Sequence, residues 1–337
     1  GEDESSLSST PKISSSATKT SDVGNYVISG SNATSNHYSI SYSTGVLSIT
    51  KAPLTAKVEN TSKEYGSSNP SFCMEFVGLK NGEKTPVWSS SPSYTTSATI
   101  KSSVGEYEIS AKATPKNYEL SEISSGILKI TKAPLTLQAN DLSKTYYSEN
   151  PELTYTCNGL KYWDDISVLT VGPILSTNAK KESNAGIYEI TIKGASAKNY
   201  VITYKDGHMT VQKRPLYVSV GNYERNYGEE NPEFTIEYEG FVGADNYKSI
   251  DTEPYAYTSA SKNTNVGTYT INITGGQDDN YSFYYNSGKI TINKAEQDII
   301  WNQDLTNLAV GEQVQLLAEA SSGLSIAYSL DSNSFCE

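Results

Sequence analysis

Histidine, cysteine and long apolar runs are scarce in this sequence, and each scarcity argues against a class of function. The 337 residues include two histidines and three cysteines, and the formal net charge is −12. No Cys/His group has zinc-site spacing, no motif pairs a nucleophile with a histidine, and no run approaches the ~18 apolar residues of a membrane span. Lysine and arginine form no cluster, which disfavours nucleic acid as a partner. We therefore predict no enzyme, cofactor, metal or membrane insertion within this chain, and no catalytic, cofactor-binding or metal-binding residues.

A repeat with a period of 81 residues dominates the sequence. Its junction reads Lys51-Ala52-Pro53-Leu54, then Lys132-Ala133-Pro134-Leu135, then Lys213-Arg214-Pro215-Leu216. Glycine, proline and apolar positions recur throughout the unit, as in a tandem array. Apart from the junction lysine, we recognise no titratable residue at a fixed position. This pattern indicates a repeated scaffold rather than a repeated active site.

The period predicts the domain organisation. Residues 1–10 are polar and are expected to be disordered. Residues 11–50 match the second half of a unit and are called the partial repeat. Three full repeats are predicted at 51–131 (repeat 1), 132–212 (repeat 2) and 213–293 (repeat 3), and residues 294–337 form an incomplete Ig-like β-module. The joins are three or four residues long, contain proline and lack a flexible linker, so we expect a stiff, elongated rod.

Apolar and polar residues alternate in each full repeat with the period of β-strands. The first strand of repeat 1 carries Leu54, Ala56 and Val58, and the pattern recurs in the other repeats. A hairpin is predicted through Asn117-Tyr118, and one or two helical turns are expected around residues 164–169. Repeat 2 has Tyr147 where the other repeats have a turn glycine, so we infer that this position does not need a positive φ.

Cysteines and paired carboxylates have structural interpretations. We expect Cys157 to face the core and Cys73 to face away from it, and the three cysteines, with Cys336, do not form a disulfide framework. Asp164-Asp165 and Asp278-Asp279 are adjacent carboxylates. Calcium binding needs several oxygens that converge, so we interpret each pair as a solvated turn.

Tyrosine is the main candidate for binding. The sequence has 26 tyrosines and six phenylalanines. A group in repeat 3 could form a sugar-binding or protein-binding surface, since the ring packs while the hydroxyl forms hydrogen bonds: Tyr255, Tyr257, Tyr281, Tyr284 and Tyr285. The alternative is that tyrosine suits half-buried strands. Specific ligand-binding residues stay unassigned.

Several motifs together resemble a known family. These motifs are Lys63-Glu64-Tyr65-Gly66 with Asn69-Pro70, Val104-Gly105-Glu106-Tyr107, and Asn117-Tyr118 followed by Gly126-Ile127-Leu128-Lys129-Ile130. They resemble the MBG-type repeats of bacterial surface and secreted adhesin-like proteins, over residues 11–293. Residues 297–330 are similar to the bacterial Ig-like segments that follow such repeats. The resemblance implies mainly β modules, β-grasp-like with one short helix, with an Ig-like sandwich as the alternative.

The resemblance also implies a location and a role. We expect a bacterial extracellular protein, at the cell surface or secreted, that is a non-enzymatic stalk for surface display or for adhesion to host or glycan ligands. The alternative is a carbohydrate-binding accessory module that uses exposed tyrosines. Candidate partners are a host glycan or an extracellular protein. The incomplete modules at both ends have open strand edges, which also predicts strand exchange.

Overall fold

The computed structural model describes residues 3–161 and 163–329, which contain β-strands and short 3-10 turns but no α-helix. Cys336 and the end of the predicted C-terminal module lie outside these residues. Contacts divide the chain into two compact units. The first comprises Gly1–Asn140, Leu153–Thr177 and Ile190–Gly207, and the second comprises Asp141–Glu152, Asn178–Glu189 and His208–Glu337. Each unit is described separately.

The partial repeat, in the first unit, is a three-stranded antiparallel sheet. Its strands are β1 (Lys12–Ser15), β2 (Gly24–Ser31) and β3 (Gly45–Ile49), in the order β1-β2-β3. Residues 3–10, for which disorder is predicted, instead include a 3-10 turn at Glu4–Ser6 and a bridge between Ser9 and Thr34. The strand β3 lies at one edge of the sheet.

Repeat 1, also in the first unit, has two sheets. Its strands are β4 (Ala52–Val58), β5 (Thr61–Glu64), β6 (Met74–Val77), β7 (Trp88–Thr95), β8 (Gly105–Pro115), β9 (Tyr118–Ser124) and β10 (Gly126–Thr131). The sheet orders are β6-β4-β9 and β5-β10-β8-β7, and the pairs β4–β9 and β5–β10 are parallel. The predicted hairpin through Asn117-Tyr118 is therefore wrong, because β8 and β9 belong to different sheets.

Repeat 2 contributes strands to each unit. They are β11 (Ala133–Ala139), β12 (Leu142–Thr145), β13 (Tyr155–Asn158), β14 (Leu169–Val171), β15 (Ile174–Thr177), β16 (Gly186–Lys193), β17 (Ser196–Ala197), β18 (Tyr200–Lys205) and β19 (Gly207–Gln212). In the first unit, β11 pairs with β13 and, in parallel, with β18. In the second unit, β12 pairs in parallel with β19. These pairings repeat those of repeat 1.

Repeat 3 lies in the second unit and has the same two sheets, β22-β20-β25 and β21-β26-β24-β23. Its strands are β20 (Arg214–Val220), β21 (Tyr223–Asn226), β22 (Ile236–Glu239), β23 (Tyr255–Thr258), β24 (Gly267–Thr274), β25 (Tyr281–Asn286) and β26 (Gly288–Asn293). One core cluster joins Leu216 and Val218 of the first sheet to Ile271 and Ile290 of the second. Repeat 3 is therefore a two-layer β-sandwich.

Strand alternation predicts the buried positions correctly. Leu54 and Val58 on β4, and Leu128 and Ile130 on β10, are almost fully buried. Their polar neighbours point to the other face, because successive side chains in a strand alternate. The predicted short helix appears only as single 3-10 turns at Ile166–Val168 and Tyr247–Ser249. Of the two topologies that the sequence left open, the two-sheet sandwich agrees better with the observed strands than a β-grasp with a helix does.

The turn position of Tyr147 corrects a prediction. Its φ is 64°, and the equivalent Gly66 and Gly228 have φ of 81° and 88°. The position is therefore left-handed in every full repeat, which costs a non-glycine residue roughly 1–2 kcal/mol. A Cβ on Gly66 would lie 2.6 Å from the Lys161 side chain, whereas the Tyr147 ring lies against Gly243. Repeat 2 thus keeps the backbone turn and fills the adjoining space with an aromatic ring.

The segment after repeat 3 forms little regular structure. Within residues 294–329, only β27 (Ile299–Ile300) and β28 (Glu319–Ala320) pair, although the alternating run Val314–Ala320 suggests a longer strand. Most side chains of residues 294–329 are exposed. Of the cysteines, Cys73 is exposed and Cys157 is half-buried, as predicted, and both are free.

Candidate functional site

Histidine, cysteine and carboxylate groups do not form a metal-binding cluster in the part of the chain described. No group of three or more His, Cys, Asp or Glu residues there could hold a metal ion. His37 and His208 are exposed, and His208 Nδ1 lies 3.4 Å from Asp141 Oδ1. Residues 3–161 and 163–329 also contain no helix that is long and apolar enough to cross a membrane.

Two of the predicted solvated carboxylates are instead structural acceptors, which is a correction. Asp164 is half-buried and accepts hydrogen bonds from the hydroxyls of Tyr65 and Tyr200. Asp278 is buried, and its Oδ1 accepts the backbone N–H groups of Asn280 and Tyr281 at 2.7 and 2.9 Å. Their neighbours Asp165 and Asp279 are exposed, as predicted.

A buried basic residue recurs in every full repeat, contrary to the prediction that no titratable residue but the junction lysine is fixed. Lys63, Lys144 and Arg225 are 81 residues apart and only 8%, 7% and 6% exposed. Lys63 Nζ donates to the carbonyl oxygens of Ser67 at 2.9 Å and Thr99 at 2.8 Å. Its contacts therefore join the Tyr-Gly turn to the loop before the Gly-x-Tyr strand.

Lys144 makes the same connection, since its Nζ donates to the carbonyls of Ser148 and Lys180. Arg225 donates to the equivalent loop carbonyl, that of Ser261, and on the turn side to the Asn226 carbonyl and the Asn231 side chain. None of the three has a carboxylate within ion-pair distance in the residues described. Burial lowers the pKa of Lys63 and Lys144, because desolvation penalises the charged form. The alignment of these basic residues in register could have revealed the feature from sequence.

Each pair of consecutive repeats meets at a set of contacts that we call the joint. At the joint between repeats 1 and 2, the Asn199 side chain of repeat 2 accepts the N–H of Val104 of repeat 1 at 3.1 Å. Tyr65 of one repeat packs edge-on against Tyr200 of the next, with ring centroids 5.5 Å apart. Both hydroxyls bind Asp164, so one carboxylate connects the two repeats.

The joint between repeats 2 and 3 reproduces this arrangement within the second unit. Asn280 Oδ1 of repeat 3 accepts the N–H of Ala185 of repeat 2 at 2.8 Å. Tyr146 and Tyr281 pack edge-on at 5.6 Å, and both hydroxyls donate to Asp245. Burial, and then the hydrogen bond to the carboxylate, raise the pKa of Tyr281, as they raise that of Tyr200.

The partial repeat meets repeat 1 through half of this arrangement. Asn117 Oδ1 accepts the N–H of Val23 at 3.1 Å, and Asn117 Nδ2 donates to Asp22 at 2.7 Å. The Tyr118 hydroxyl donates to Glu83 at 2.7 Å, as Tyr200 does to Asp164. No second tyrosine ring faces Tyr118 among the residues described, because the partial repeat has no equivalent of Tyr65.

The predicted tyrosine group of repeat 3 separates in the structure. Tyr281 belongs to the core, and Tyr255 and Tyr257 lie on β23 in the other sheet from Tyr284. The Tyr285 hydroxyl accepts the N–H of Gly276 at 3.0 Å. The sequence-predicted residues therefore do not form one surface.

A different pair of tyrosines does share a face. Tyr217 on β20 and Tyr284 on β25 are cross-strand neighbours, with ring centroids 5.5 Å apart, and they are 48% and 53% exposed. Repeats 1 and 2 have Thr55 and Thr136 at the position of Tyr217, and Glu122 and Thr203 at that of Tyr284. The sequence analysis did not single out Tyr217, because Tyr217 precedes Tyr284 by almost a full repeat along the chain.

No curated protein sequence matches the chain. Among solved structures, similarity was found to immunoglobulin domains 1–4 of Sidekick-1 (8% identity, TM-score 0.26, 80% of this chain and 83% of that chain). It was also found to Drosophila N-cadherin EC1-3 (10%, 0.22, 73% and 98%) and to three N-terminal domains of the bacteriophage RB49 outer capsid protein Hoc (8%, 0.23, 85% and 99%). Scores this low carry no argument about fold or function.

The family comparison is decisive by contrast. The profile of the MBG domain (YGX type) matches residues 1–48, 54–129, 135–210 and 216–291, which is most of the chain. Tyr65-Gly66 and Tyr227-Gly228 are the corresponding Tyr-Gly pairs at the turn, with Tyr146-Tyr147 in repeat 2. The chain therefore belongs to the family of MBG domains of the YGX type.

Proposed function

We propose that the chain is a non-enzymatic extracellular structural or adhesive protein, whose repeats hold and space a binding surface at the cell surface or on a secreted molecule. The recurrence of the joint carries this proposal. The elements that recur from repeat to repeat are turns, strands and joint contacts, and they are scaffold features. The family match supports an adhesin-like β-module protein, and the acidic charge is suited to a soluble, exposed surface.

The free energy of the contacts at each joint supports a stiff connection between neighbouring repeats. Three contacts cross each complete joint: a hydrogen bond to an asparagine side chain, a hydrogen bond from a tyrosine hydroxyl to the carboxylate of the next repeat, and an edge-on tyrosine pair. A net hydrogen bond contributes about 0.5–1.5 kcal/mol, and an aromatic pair contributes about as much. A total of about 3 kcal/mol would limit the population of molecules in which the joint is broken to about 1%. Neighbouring repeats would then keep one relative orientation.

A distance measurement across one joint tests this stiffness. Spin labels at Lys112 and Lys205, on an otherwise intact chain whose cysteines are replaced by serine, span the joint between repeats 1 and 2. We expect a narrow distance distribution that broadens in Asn199→Ala. Asn140→Ala is the matched control, because its side chain donates to Thr154 within the same repeat. A broad distribution in the unsubstituted chain, or no change in Asn199→Ala, would contradict the proposal.

A second candidate function is carbohydrate binding by repeat 3. The observation that favours it is the outward pair of Tyr217 and Tyr284, which the other full repeats lack. Aromatic rings with an accessible hydroxyl combine apolar contact with hydrogen bonding. Arg214, Glu239 and the backbone of Gly240 border a shallow depression that Tyr217 also lines. Polar groups beside an aromatic face suit a sugar ring.

Glycan arrays probed with the intact chain test the second function. We expect a bound glycan to be lost in Tyr284→Ala and retained in Tyr257→Ala, which removes a similarly exposed ring from the other sheet. Absence of binding on the array, or equal loss in the two variants, would remove carbohydrate binding by this pair while leaving the scaffold role unaffected.

A further inference from the structure

The two complete joints place side chains of opposite size at one equivalent point of contact. There the turn after the second strand of one repeat meets a loop of the next repeat that we call the facing loop, residues 161–164 in repeat 2 and 242–245 in repeat 3. The turn position is Gly66 at the first joint and Tyr147 at the second, each with a left-handed φ. Each facing loop also supplies the carboxylate that the tyrosine pair shares. The two joints therefore have the same frame but different side chains inside it.

At the joint between repeats 1 and 2, a small turn residue faces a long side chain. A Cβ added at Gly66 would lie 2.6 Å from both Cγ and Cδ of Lys161, so the lysine chain covers the glycine directly. The chain continues past the turn to Glu64 of repeat 1, where Nζ lies 2.9 Å from Oε1. A larger residue at position 66 would displace the lysine chain and separate this ion pair.

A tryptophan adds to the bulk of the same facing loop. Trp163 Nε1 donates to the hydroxyl of Tyr65 at 3.3 Å. Lys101 Nζ of repeat 1 lies 5.5 Å from the centre of the indole ring, which is the geometry of a cation–π contact. The facing loop of repeat 2 thus contacts repeat 1 with two large side chains, and the small turn residue of repeat 1 leaves room for the lysine.

At the joint between repeats 2 and 3, the sizes are reversed. The turn carries the half-buried ring of Tyr147. The facing loop has Val242-Gly243-Ala244 where repeat 2 has Lys161-Tyr162-Trp163. A Cβ added at Gly243 would lie 2.6 Å from Cζ of the Tyr147 ring. A large turn residue is therefore matched by a facing loop that has no side chain at the contact point.

The wrong combination of turn and facing loop would lose these contacts in either direction. A repeat 2 facing loop on a repeat 2 turn would bring the Lys161 chain into the space of the Tyr147 ring. A repeat 3 facing loop on a repeat 1 turn would leave the space over Gly66 empty. Glu64 would then lose its cation, because Val242 stands at the position of Lys161. Overlap and voids both destabilise a packed contact.

We propose that these reciprocal size pairs make each joint selective for its own neighbour, so that turn and facing loop together fix the order of the repeats. The proposal rests on the scaffold role proposed above and names the partner of each turn. The turn of Gly66 accepts a facing loop with long side chains, and the turn of Tyr147 accepts one with glycine at the position of Gly243. Selectivity of this kind uses steric conflict against wrong partners as well as contacts with the right one. It opposes the misassembly to which tandem repeats are prone.

Exchange of the size pair at the second joint tests the proposal in the intact chain. Spin labels at Glu189 of repeat 2 and Asn286 of repeat 3, with the cysteines replaced by serine, report distances across this joint. We expect Gly243→Tyr, which introduces the residue of repeat 2, to make the distance distribution at least twice as wide. The double variant Tyr147→Gly with Gly243→Tyr should return to the original width. Backbone strain at position 243 is present in both variants, so recovery reports the size pair alone.

Gly228→Tyr is the matched control, because it places the same residue at a left-handed glycine whose added Cβ would have nothing within 4 Å. We expect it to leave the distribution unchanged. If Gly243→Tyr alone unfolds repeat 3, the melting temperature decides: recovery in the double variant supports the proposal.

An unchanged distribution in folded Gly243→Tyr, or no recovery in the double variant, would overturn the selectivity while leaving a stiff joint in place. A broad distribution already in the unsubstituted chain would contradict the stiff scaffold itself, and the selectivity would fall with it.

Discussion

Replacement of the buried lysine of repeat 1 gives the sharpest test of how each repeat is held together. Lys63→Met keeps most of the apolar length of the side chain and removes the ammonium group. That group donates to the carbonyls of Ser67 and Thr99 at 2.9 and 2.8 Å. The substitution therefore separates the turn after β5 from the loop that precedes β8.

Two effects oppose each other in this variant. Removing a buried charge relieves its desolvation, and replacing buried ionic groups by apolar ones is sometimes neutral or stabilising. Here, however, the partners are backbone carbonyls that remain after the substitution. A hydrogen bond to a charged group contributes about 1.5–3 kcal/mol, and an unsatisfied buried acceptor costs about 1–3 kcal/mol. With two such bonds, we expect a net loss of about 3 kcal/mol.

Amide hydrogen exchange on the intact chain measures this loss locally, which matters because a repeat protein need not unfold in one step. A loss of about 3 kcal/mol corresponds to roughly 100-fold faster exchange at β5 and at residues 96–102. Lys63→Arg is the matched control, since Arg225 occupies this position in repeat 3 and bonds to the equivalent loop carbonyl. The reasoning would be refuted if the exchange rates in Lys63→Met stayed within threefold of those in the unsubstituted chain, or if Lys63→Arg raised the rates as much as Lys63→Met.

Three further predictions concern the turn, the sandwich and the tyrosines. Tyr147→Ala should destabilise the second unit by about 2–3 kcal/mol and Tyr147→Gly by about 1 kcal/mol less, because glycine relieves the left-handed φ while both lose the ring; urea unfolding that ranks Ala above Gly would contradict this. Gly126→Ala should cost about 2 kcal/mol or more in urea unfolding, because the new Cβ would lie 2.7 Å from the Val58 carbonyl oxygen, and a neutral result would show that the backbone there can yield. Stability should fall as pH rises above about 10, the ordinary tyrosine pKa, because Tyr200 and Tyr281 keep their protons in the folded state to a higher pH than in the unfolded state. In the described residues, seven tyrosines have a raised pKa, which lowers stability at high pH, and two lysines have a lowered pKa, which raises it. We expect the tyrosines to outweigh the lysines. Thermal melts that show rising stability from pH 10 to 11 would refute this expectation.

Local pattern was sufficient for the repeat, the class of fold and the buried face of each main strand. A period of 81 residues needs only comparison of the sequence with itself, and alternation places Leu54 and Leu128 in the core because side chains of a strand alternate between its faces. The same reasoning failed for the short strand β5 and for β9, whose parallel partners β10 and β4 are distant in sequence. Local alternation carries no information about which distant strand lies alongside.

The joints, and the burial and partners of the recurring basic residues, emerge only once the chain is folded. Tyr65 and Asp164 are 99 residues apart, and the lysine at position 63 reaches a carbonyl 36 residues away. In sequence, such residues look like solvated charges or half-buried aromatics, because the residue types alone do not reveal their partners. Folding removes water from these side chains and leaves only a few partners within hydrogen-bond distance. The partner of Tyr65 lies in the next repeat and those of Lys63 lie in its own repeat, so the tertiary structure, rather than the local sequence, determines what each side chain does.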